Sequence, residues 1–204
     1  MRNAPESKKA FLNAAMHVFR VKGYEGTSVD DLCSAAQLTK GSFFHHFAGK
    51  EEFAIAAVDH FAAGADALFT AAPYQALADP LARVLAYVDF RASLLEGELA
   101  DFTCLFGMMV QETYATHPAI RDTCERHLAA HAAMLTKDLA EAKRRYAPRA
   151  RWTPESVADY MVATIQGAFI LAKARNSADA AAECLTHLRR YLQSLFPTHP
   201  RKGD

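Results

Sequence analysis

The stretch from Ser28 to Lys50 constrains the fold more than any other part of the 204-residue chain. Ser28 and Asp31 have the S-x-x-D spacing of a capping box, in which a hydroxyl accepts a hydrogen bond from an N–H group at a helix start. After a three-residue turn, Thr39 is placed to cap a second helix of fewer than ten residues. The stretch therefore predicts two short helices joined by a tight turn.

The second of these helices has two contrasting faces. Phe43 and Phe47 lie four residues apart, so they share one face and must be buried against neighbours. A helix this short is not stable alone, and one anchored by two Phe side chains suits insertion into a DNA groove. The alternative is a pair of short helices packed inside an ordinary all-α enzyme domain. The opposite face presents Lys40, Gly41, Ser42, Phe44 and His45.

Composition and charge place the chain among globular proteins. Hydrophobic residues make up 51% of the sequence, which allows a sizeable core, and the formal net charge is 0. The charge is unevenly distributed, since residues 1–50 contain seven Lys or Arg against four Asp or Glu, a net +3 that leaves −3 for the remainder. A modestly basic N-terminal part is compatible with phosphate contact.

The cysteines and the apolar runs indicate a cytoplasmic protein. Cys33, Cys104, Cys124 and Cys184 are scattered and form no C-x-x-C pair. With no secretory h-region at the start, this favours reduced thiols. The longest apolar run, residues 161–172, is too short to span a bilayer. We therefore expect it to form a buried helix, and we expect no membrane partner.

The rest of the chain also has a helical pattern, with no useful β-alternation and no repeat of fixed spacing. Asp79-Pro80 and Thr153-Pro154 each place a capping residue before a proline at the first helical position. Connections are short, which favours an all-α bundle of about nine helices. After the two short helices we expect further helices at about 50–71, 80–95, 102–114, 118–146, 154–175 and 178–196, and before them one at about 6–22.

The N-terminal motifs resemble the DNA-binding domain of the TetR/AcrR family of bacterial transcriptional regulators. The matching segments are Gly23-Tyr24, Gly26-Thr27-Ser28, residues 38–47 and Lys50-Glu51. The resemblance implies a three-helix helix-turn-helix head at residues 1–50 and a ligand-binding and dimerisation bundle at 51–204. It also implies a homodimer joined through the helices near 154–175 and 178–196.

The function implied by this resemblance is that of a ligand-responsive regulator rather than an enzyme. Such a protein is a repressor that needs no cofactor, binds a palindromic operator and is released by a small-molecule inducer. The family usually has Tyr at the position of Phe44. Because a Phe side chain cannot donate to a phosphate, we predict weaker anchoring to the DNA backbone here.

The resemblance also assigns DNA-contacting positions. It places residues 39–42 where the family contacts bases and nearby phosphates, and Phe44, His45 and Lys50 where it contacts the backbone. Ser28, at the first helix start, completes the set. The predicted DNA-binding residues are Ser28, Thr39, Lys40, Gly41, Ser42, Phe44, His45 and Lys50.

The body of the chain is rich in aromatic and Met side chains, which at helical spacing are mainly core. Soft Met side chains beside aromatic rings also suit a pocket for a small apolar ligand. We therefore predict that ligand contacts come from among Phe90, Cys104, Phe106, Met109, Met134 and Tyr160.

Cys104 supports an alternative function, a thiol-based electrophile sensor. Residues 103–105 with 111–112, and 167–168 with 171–173, resemble the branch of the family that contains the N-ethylmaleimide-reductase repressor, whose inducers are electrophiles. Cys104 also falls near a predicted helix start, where the helix dipole favours a thiolate. Asp101 lies close and opposes ionisation, and the competing interpretation is a core cysteine.

Two groups of histidines raise the question of a metal site. Cys124, His127 and His131 lie at i, i+3 and i+7 on one helical face, a spacing compatible with metal ligands. No fourth ligand can be named, so we expect no metal and favour side chains that line a pocket or meet solvent. His45 and His46 point about 100° apart, which favours phosphate contact for the first and packing for the second.

Overall fold

The computed structural model describes residues 4–196, and every regular element in that range is helical. This confirms the all-α fold class. A short 3₁₀ turn, Pro73–Ala76, connects the fourth and fifth helices. The ten α-helices are α1 Ala4–Lys22, α2 Val29–Ala36, α3 Lys40–His46, α4 Lys50–Thr70, α5 Pro80–Ser93, α6 Leu99–Phe102, α7 Leu105–Thr113, α8 Pro118–Tyr146, α9 Pro154–Arg175 and α10 Asp179–Ser194.

The helix expected at 102–114 differs from the observed structure. The chain forms α6, which ends at Phe102, and then α7, which begins at Leu105. Between them Thr103 is buried and Cys104 adopts an extended backbone with φ −78° and ψ 126°. An extended residue cannot continue the helical hydrogen-bond ladder, so one predicted helix becomes two and Cys104 becomes the N-cap of α7.

Capping residues position the helices of the body as the sequence predicts. Asp79 precedes the proline that opens α5, and its carboxylate accepts from Leu81 N–H at 2.8 Å and from the Tyr146 hydroxyl at 2.5 Å. Thr153 precedes the proline that opens α9, and its hydroxyl oxygen accepts from Ser156 N–H at 3.2 Å. Each cap satisfies N–H groups that have no partner within the helix.

The chain divides into two compact units. Within the described residues, the first unit comprises 4–69 and 103–128, and the second comprises 70–102 and 129–196. The long helix α8 contributes to both. The first unit therefore contains the predicted head together with α4, α7 and the start of α8. The predicted domain boundary at residues 50 and 51 stays a prediction.

Each unit has its own buried side chains. In the first unit a cluster of rings and aliphatic groups joins the three N-terminal helices to α4 and α7. Its fully buried members include Phe11, Phe19, Leu32, Phe43, Phe53, Leu105 and Met109. In the second unit the largest fully buried side chains are Tyr87, Leu139, Met161 and Leu185.

Two helices, α4 and α9, have the length and apolar composition to cross a membrane. Both nevertheless bury one face in the fold, with Phe53 and Ala57 of α4 and Met161 of α9 inside their units. Packing thus accounts for much of their apolar character. The expectation that residues 161–172 are buried is correct for one face only, since Ile170 and Leu171 are exposed.

Candidate nucleic-acid interface

Helix α3 is fixed to the first unit through two phenylalanines. Phe43 is fully buried, and its ring lies edge-on to Phe11 at 5.5 Å and tilted against Phe53 at 5.3 Å between centroids. Phe47 follows α3 and meets the same Phe53 ring at 4.9 Å. Aromatic pairs at these separations contribute energy beyond their buried area. A seven-residue helix is thereby held in a defined orientation.

The opposite face of α3 is open to solvent. Thr39, Lys40 and Gly41 at its start are exposed, and the Thr39 hydroxyl oxygen accepts from Ser42 N–H at 3.2 Å. Phe44 is 55% exposed, which is unusual for a ring in a helix whose other face is buried. His45 beside it is also exposed. The structure therefore brings the predicted base-contacting residues and two predicted backbone contacts onto one surface.

Ser28 performs the capping role that its spacing predicts. Its hydroxyl oxygen accepts from Asp31 N–H at 3.1 Å, and the Asp31 carboxylate accepts from Ser28 N–H at 2.9 Å. The Ser28 hydroxyl also donates to that carboxylate at 2.7 Å. Lys22 donates to it at 2.5 Å, and this hydrogen bond, together with those from Ser28, holds the pKa of Asp31 well below its usual range.

Lys40 is engaged across the helix-turn-helix turn. Its ammonium lies 2.9 Å from the carboxylate of Asp30 on α2. The hydrogen bond to Asp30 raises the pKa of Lys40, so the side chain is cationic at neutral pH. Both groups are exposed, and the sequence pattern alone does not indicate this pair because the two residues lie on different helices.

Lys50 contacts the turn that follows α1. Its ammonium donates to the Tyr24 carbonyl at 3.0 Å and lies 4.2 Å from the centroid of the Tyr24 ring, a cation–π distance. Burial raises the pKa of Tyr24 to about 12, so the ring stays a neutral phenol. Lys50 therefore stabilises the turn between α1 and α2, a role that the sequence pattern does not indicate.

The two adjacent histidines have different surroundings, and the predicted phosphate contact of His45 stays a prediction. The imidazole of His46 lies 2.7 Å from the Ser7 hydroxyl on α1, and burial lowers the pKa of His46. Because the Ser7 hydroxyl donates to the Ala4 carbonyl at 3.0 Å, His46 Nε2 is the donor in this contact. His46 thus packs inside the head, while His45 faces solvent.

Further residues surround the turn between α1 and α2, and the sequence pattern does not indicate their contacts. Glu112 of α7 accepts from Glu25 N–H at 3.0 Å, and its carboxylate fills the space beside Gly23, whose φ is 77°. The His117 ring lies edge-on to Tyr24 at 4.8 Å. Glu25 and Glu112 lie 87 positions apart in the chain, so no local pattern reveals their contact.

The predicted ligand-binding residues fall in both units. Cys104, Phe106 and Met109 belong to the first unit, where Met109 is fully buried. The Phe106 ring stacks on His127 at 5.5 Å and meets Phe61 edge-on at 4.9 Å.

The remaining three belong to the second unit. Phe90 packs against the Tyr74 ring at 5.7 Å, and Met134 is half-buried. Tyr160 is 47% exposed and its ring meets Tyr191 at 4.8 Å.

The cysteines differ in their surroundings. Cys104 is half-buried at the start of α7, and its thiol makes no capping hydrogen bond. Cys124 of α8 is buried in the same unit, where burial raises its pKa to about 12. Cys124 is therefore a protonated core thiol, and Cys104 is the more accessible of the two.

The residues with metal-like spacing have other partners. His127 Nε2 lies 2.7 Å from a carboxylate oxygen of Asp59, and His131 Nε2 lies 2.7 Å from the Tyr87 hydroxyl. Burial, with a smaller effect of Arg91, lowers the pKa of His131 to about 4. Within the part of the chain that the structure describes, no three His, Cys, Asp or Glu side chains are grouped so that they could hold a metal ion.

Two family models match the chain. A model described as "Bacterial regulatory proteins, tetR family" matches residues 11–57. A model described as "Tetracyclin repressor-like, C-terminal domain" matches residues 80–188. Together they cover most of the predicted head and most of the body.

Individual proteins show the same likeness. The HTH-type transcriptional repressor DhaR from Mycobacterium sp. is 26% identical over 169 residues, which is 83% of each chain. A TetR transcriptional regulator from Chloroflexus aurantiacus has a solved structure with a TM-score of 0.84 at 24% identity, covering 96% of this chain and 98% of its own. The reduced form of NemR from Escherichia coli gives a TM-score of 0.80 at 20% identity, covering 96% and 99%. At these identities the structures show a shared fold.

Proposed function

Because the chain belongs to the tetR family of bacterial regulatory proteins, we propose that it is a ligand-responsive repressor that binds a palindromic operator as a homodimer. The chain is a transcriptional regulator with a DNA-binding helix-turn-helix, and the proteins that it resembles are transcriptional regulators as well. A small molecule bound by the body releases it from DNA. Because bacterial DNA lies in the cytoplasm, the proposed function places the protein there.

The amphipathic character of α3 carries the proposal. Phe43 and Phe47 fix the helix from one side, while the Phe44 ring, edge-on to Phe43 at 5.3 Å between centroids, stays 55% exposed to solvent. A packed scaffold with an exposed, partly cationic face is what a recognition helix requires, because the helix must keep its orientation in the major groove. An enzyme domain gives no comparable reason to expose this aromatic side chain.

The residues at the start of α3 are the proposed base readers. Thr39, Lys40 and Ser42 supply hydroxyl and ammonium groups suited to base edges and nearby phosphates. Gly41 has open space around it, since a β-carbon there would touch nothing closer than the Thr39 hydroxyl at 3.8 Å. Packing within the protein therefore does not require glycine at this position, and we infer that close approach of DNA does.

The remaining four residues are proposed to hold the DNA backbone. The ring of Phe44 packs against sugar, and His45 meets phosphate. Lys50 has three donors, of which one is used by the Tyr24 carbonyl, so the others remain for phosphate. Ser28 acts by fixing the N-terminus of α2 beside the DNA through its capping box.

The homodimer is proposed to form through α9 and α10. Apolar and aromatic side chains remain exposed on these helices within the second unit: Tyr160, Ile170 and Leu171 on α9 and Tyr191 on α10. Burying such a surface against its own copy gives an isologous interface, which presents two heads to two half-sites.

Release from DNA is proposed to be a coupling between the ligand and operator sites. Phe90, Cys104, Phe106, Met109, Met134 and Tyr160 are the proposed ligand contacts. Coupling free energies of this kind are typically about 1–3 kcal/mol, which changes DNA affinity by roughly 5- to 150-fold.

Selection from a pool of random duplexes tests the proposed function. The full-length protein should enrich a palindromic sequence, because a two-fold symmetric dimer reads two inverted half-sites. A Gly41→Leu variant, which keeps the charge but fills the proposed approach surface, should enrich none. Failure of the wild-type protein to enrich any sequence would contradict the proposal.

The alternative function, a thiol-based electrophile sensor, is supported by the position of Cys104. Its half-buried side chain stands at the N-cap of α7 and makes no capping hydrogen bond there. The deprotonated Cys104 sulfur would add to the carbon–carbon double bond of N-ethylmaleimide. A carbon–sulfur bond then replaces the π bond, the adjacent carbon takes a proton from water, and the added bulk would disturb the packing of α7.

Release of DNA by N-ethylmaleimide distinguishes a thiol-based electrophile sensor from a repressor released by a bound small molecule. If Cys104 is the sensor, wild type and Cys184→Ser should dissociate from the selected duplex, whereas Cys104→Ser should stay bound. Equal release of all three proteins would exclude a sensing role for Cys104.

A further inference from the structure

We propose that Asp30 limits the DNA affinity of the head by holding Lys40 in the unbound protein, so that DNA phosphate must displace a carboxylate before Lys40 can bind it. This inference rests on the proposed DNA-binding function. It assigns a role in affinity to a residue that lies outside the predicted DNA-binding set.

The geometry that supports the inference is a direct ion pair across the turn. Lys40 Nζ lies 2.9 Å from Asp30 Oδ1, and the two side chains are 58% and 68% exposed. An exposed pair of this kind is open to exchange with solvent ions, because neither partner is held by burial. The carboxylate therefore occupies the position that a phosphate oxygen would take next to the ammonium group.

The neighbouring acid shows why Asp30 is suited to this role. The Asp31 carboxylate accepts two hydrogen bonds from Ser28 in the capping box of α2. It also accepts one from Lys22 of α1. Asp30 has no part in that capping box. Its contact across the turn is with the ammonium group of Lys40. Both acids lie in the first turn of α2, but Asp31 closes the capping box, whereas Asp30 pairs with a cation of α3.

The expected size of the effect follows from the exposure of the pair. Exposed ion pairs stabilise weakly and are screened by salt. Neutralising Asp30 should therefore raise DNA affinity about two- to fivefold at low salt, with the gain shrinking as salt increases. Because phosphate is common to every sequence, the gain should appear on a mixed-sequence duplex as well as on the selected palindrome.

The experiment compares Asp30→Asn with Asp66→Asn in the full-length protein. Asp66 lies exposed on α4 of the same unit, so its neutralisation changes the net charge equally without touching Lys40. Binding of a labelled mixed-sequence duplex is measured by fluorescence anisotropy over about 50 to 200 mM salt. Asp30→Asn should bind about two- to fivefold tighter than wild type at the lowest salt, and Asp66→Asn should match wild type.

A second comparison, in a Lys40→Met background, tests whether the gain in DNA affinity of Asp30→Asn depends on Lys40. There the Asp30→Asn gain should disappear, since no ammonium group remains to be released. A gain of equal size without Lys40 would show that Asp30 repels DNA directly, which overturns the proposal. Equal affinities of Asp30→Asn, Asp66→Asn and wild type would also overturn it. Absence of any binding by wild type would instead contradict the proposed DNA-binding function.

Discussion

At the scale of single residues, Phe44 is the side chain whose chemistry most directly limits the proposed interface. It is exposed beside His45 on the open face of α3, yet its ring carries no hydrogen-bond donor. Contact with DNA sugar is available to it, and donation to phosphate is not. The same surface gains a donor if a hydroxyl is added at the ring edge.

We expect Phe44→Tyr to raise operator affinity by about three- to tenfold, the equivalent of one modest hydrogen bond. The selected duplex and fluorescence anisotropy provide the measurement. Phe44→Leu, which keeps apolar bulk but has no ring, should not bind more tightly than wild type. Unchanged or lower affinity of Phe44→Tyr would contradict the phosphate-anchoring argument.

The protonation of His131 links the stability of the second unit to pH. It is neutral in the folded protein because burial lowers its pKa to about 4, and its Nε2 meets the Tyr87 hydroxyl. In the unfolded chain a His has a pKa of about 6.5. The unfolded state therefore binds this proton first, and the stability that His131 contributes is lost as pH falls from about 6.5 toward 4.

We expect wild type to lose about 2 kcal/mol of stability between pH 7 and pH 5 through this group. His131→Gln, whose amide can still bond Tyr87 but does not titrate, should lose correspondingly less. Urea unfolding at fixed protein concentration measures both. His60→Gln is the control, because His60 lies half-buried on α4 and contacts Asn13 in the first unit, away from Tyr87. An equal pH dependence in wild type and His131→Gln would refute the assignment.

At the scale of elements, the turn between α1 and α2 joins the N-terminal helices to α7. Gly23 ends α1 with a φ of 77°, a left-handed conformation that costs a residue with a side chain about 1–2 kcal/mol. A β-carbon there would also overlap the carboxylate of Glu112, which caps Glu25 N–H. Backbone conformation and packing therefore both favour glycine at this position.

We predict that Gly23→Ala destabilises the protein by about 1–2 kcal/mol or more. Gly64→Ala is the matched control, since Gly64 lies inside α4 with open space around it. There an alanine should stabilise by about 0.5–1 kcal/mol. Thermal unfolding compares the two, and a Gly23→Ala protein as stable as wild type would contradict the described turn.

The elements also show what the sequence could predict. The caps at Ser28 and Thr39 follow from local chemistry, and the structure has both. The break at Cys104 has no such signal, because no proline or glycine marks it. Contacts such as Lys50 with Tyr24 depend on how distant segments pack. Local patterns therefore predicted most of the helices and the open face of α3. The break at Cys104 and the long-range partners had to come from the structure.

At the scale of the whole molecule, the proposed function depends on dimerisation. A single head contacts one half-site, whereas a palindrome is read by two heads related by two-fold symmetry. The exposed apolar side chains of α9 are the surface that we propose for this assembly. Their substitution should therefore affect DNA binding although they are not proposed to touch DNA.

We predict that Ile170→Asp, at a position 50% exposed on α9, shifts the protein to a monomer. Affinity of this variant for the selected palindrome should be lower than that of wild type, because monomers bind the two half-sites independently. Leu77→Asp serves as the control, since Leu77 is 40% exposed outside α9 and α10. Light scattering gives the oligomeric state. A wild-type monomer, or a dimer that survives Ile170→Asp, would contradict this interface.

The salt dependence of DNA binding tests the central claim most directly. Affinity of the wild-type dimer for the selected palindrome should fall linearly with salt on logarithmic axes, because bound phosphates release counterions. Lys40→Met should bind more weakly and reduce the slope by about one for each phosphate that the ammonium group no longer neutralises. A wild-type affinity that does not change with salt, or a Lys40→Met slope equal to that of wild type, would contradict the account of α3 as the recognition helix.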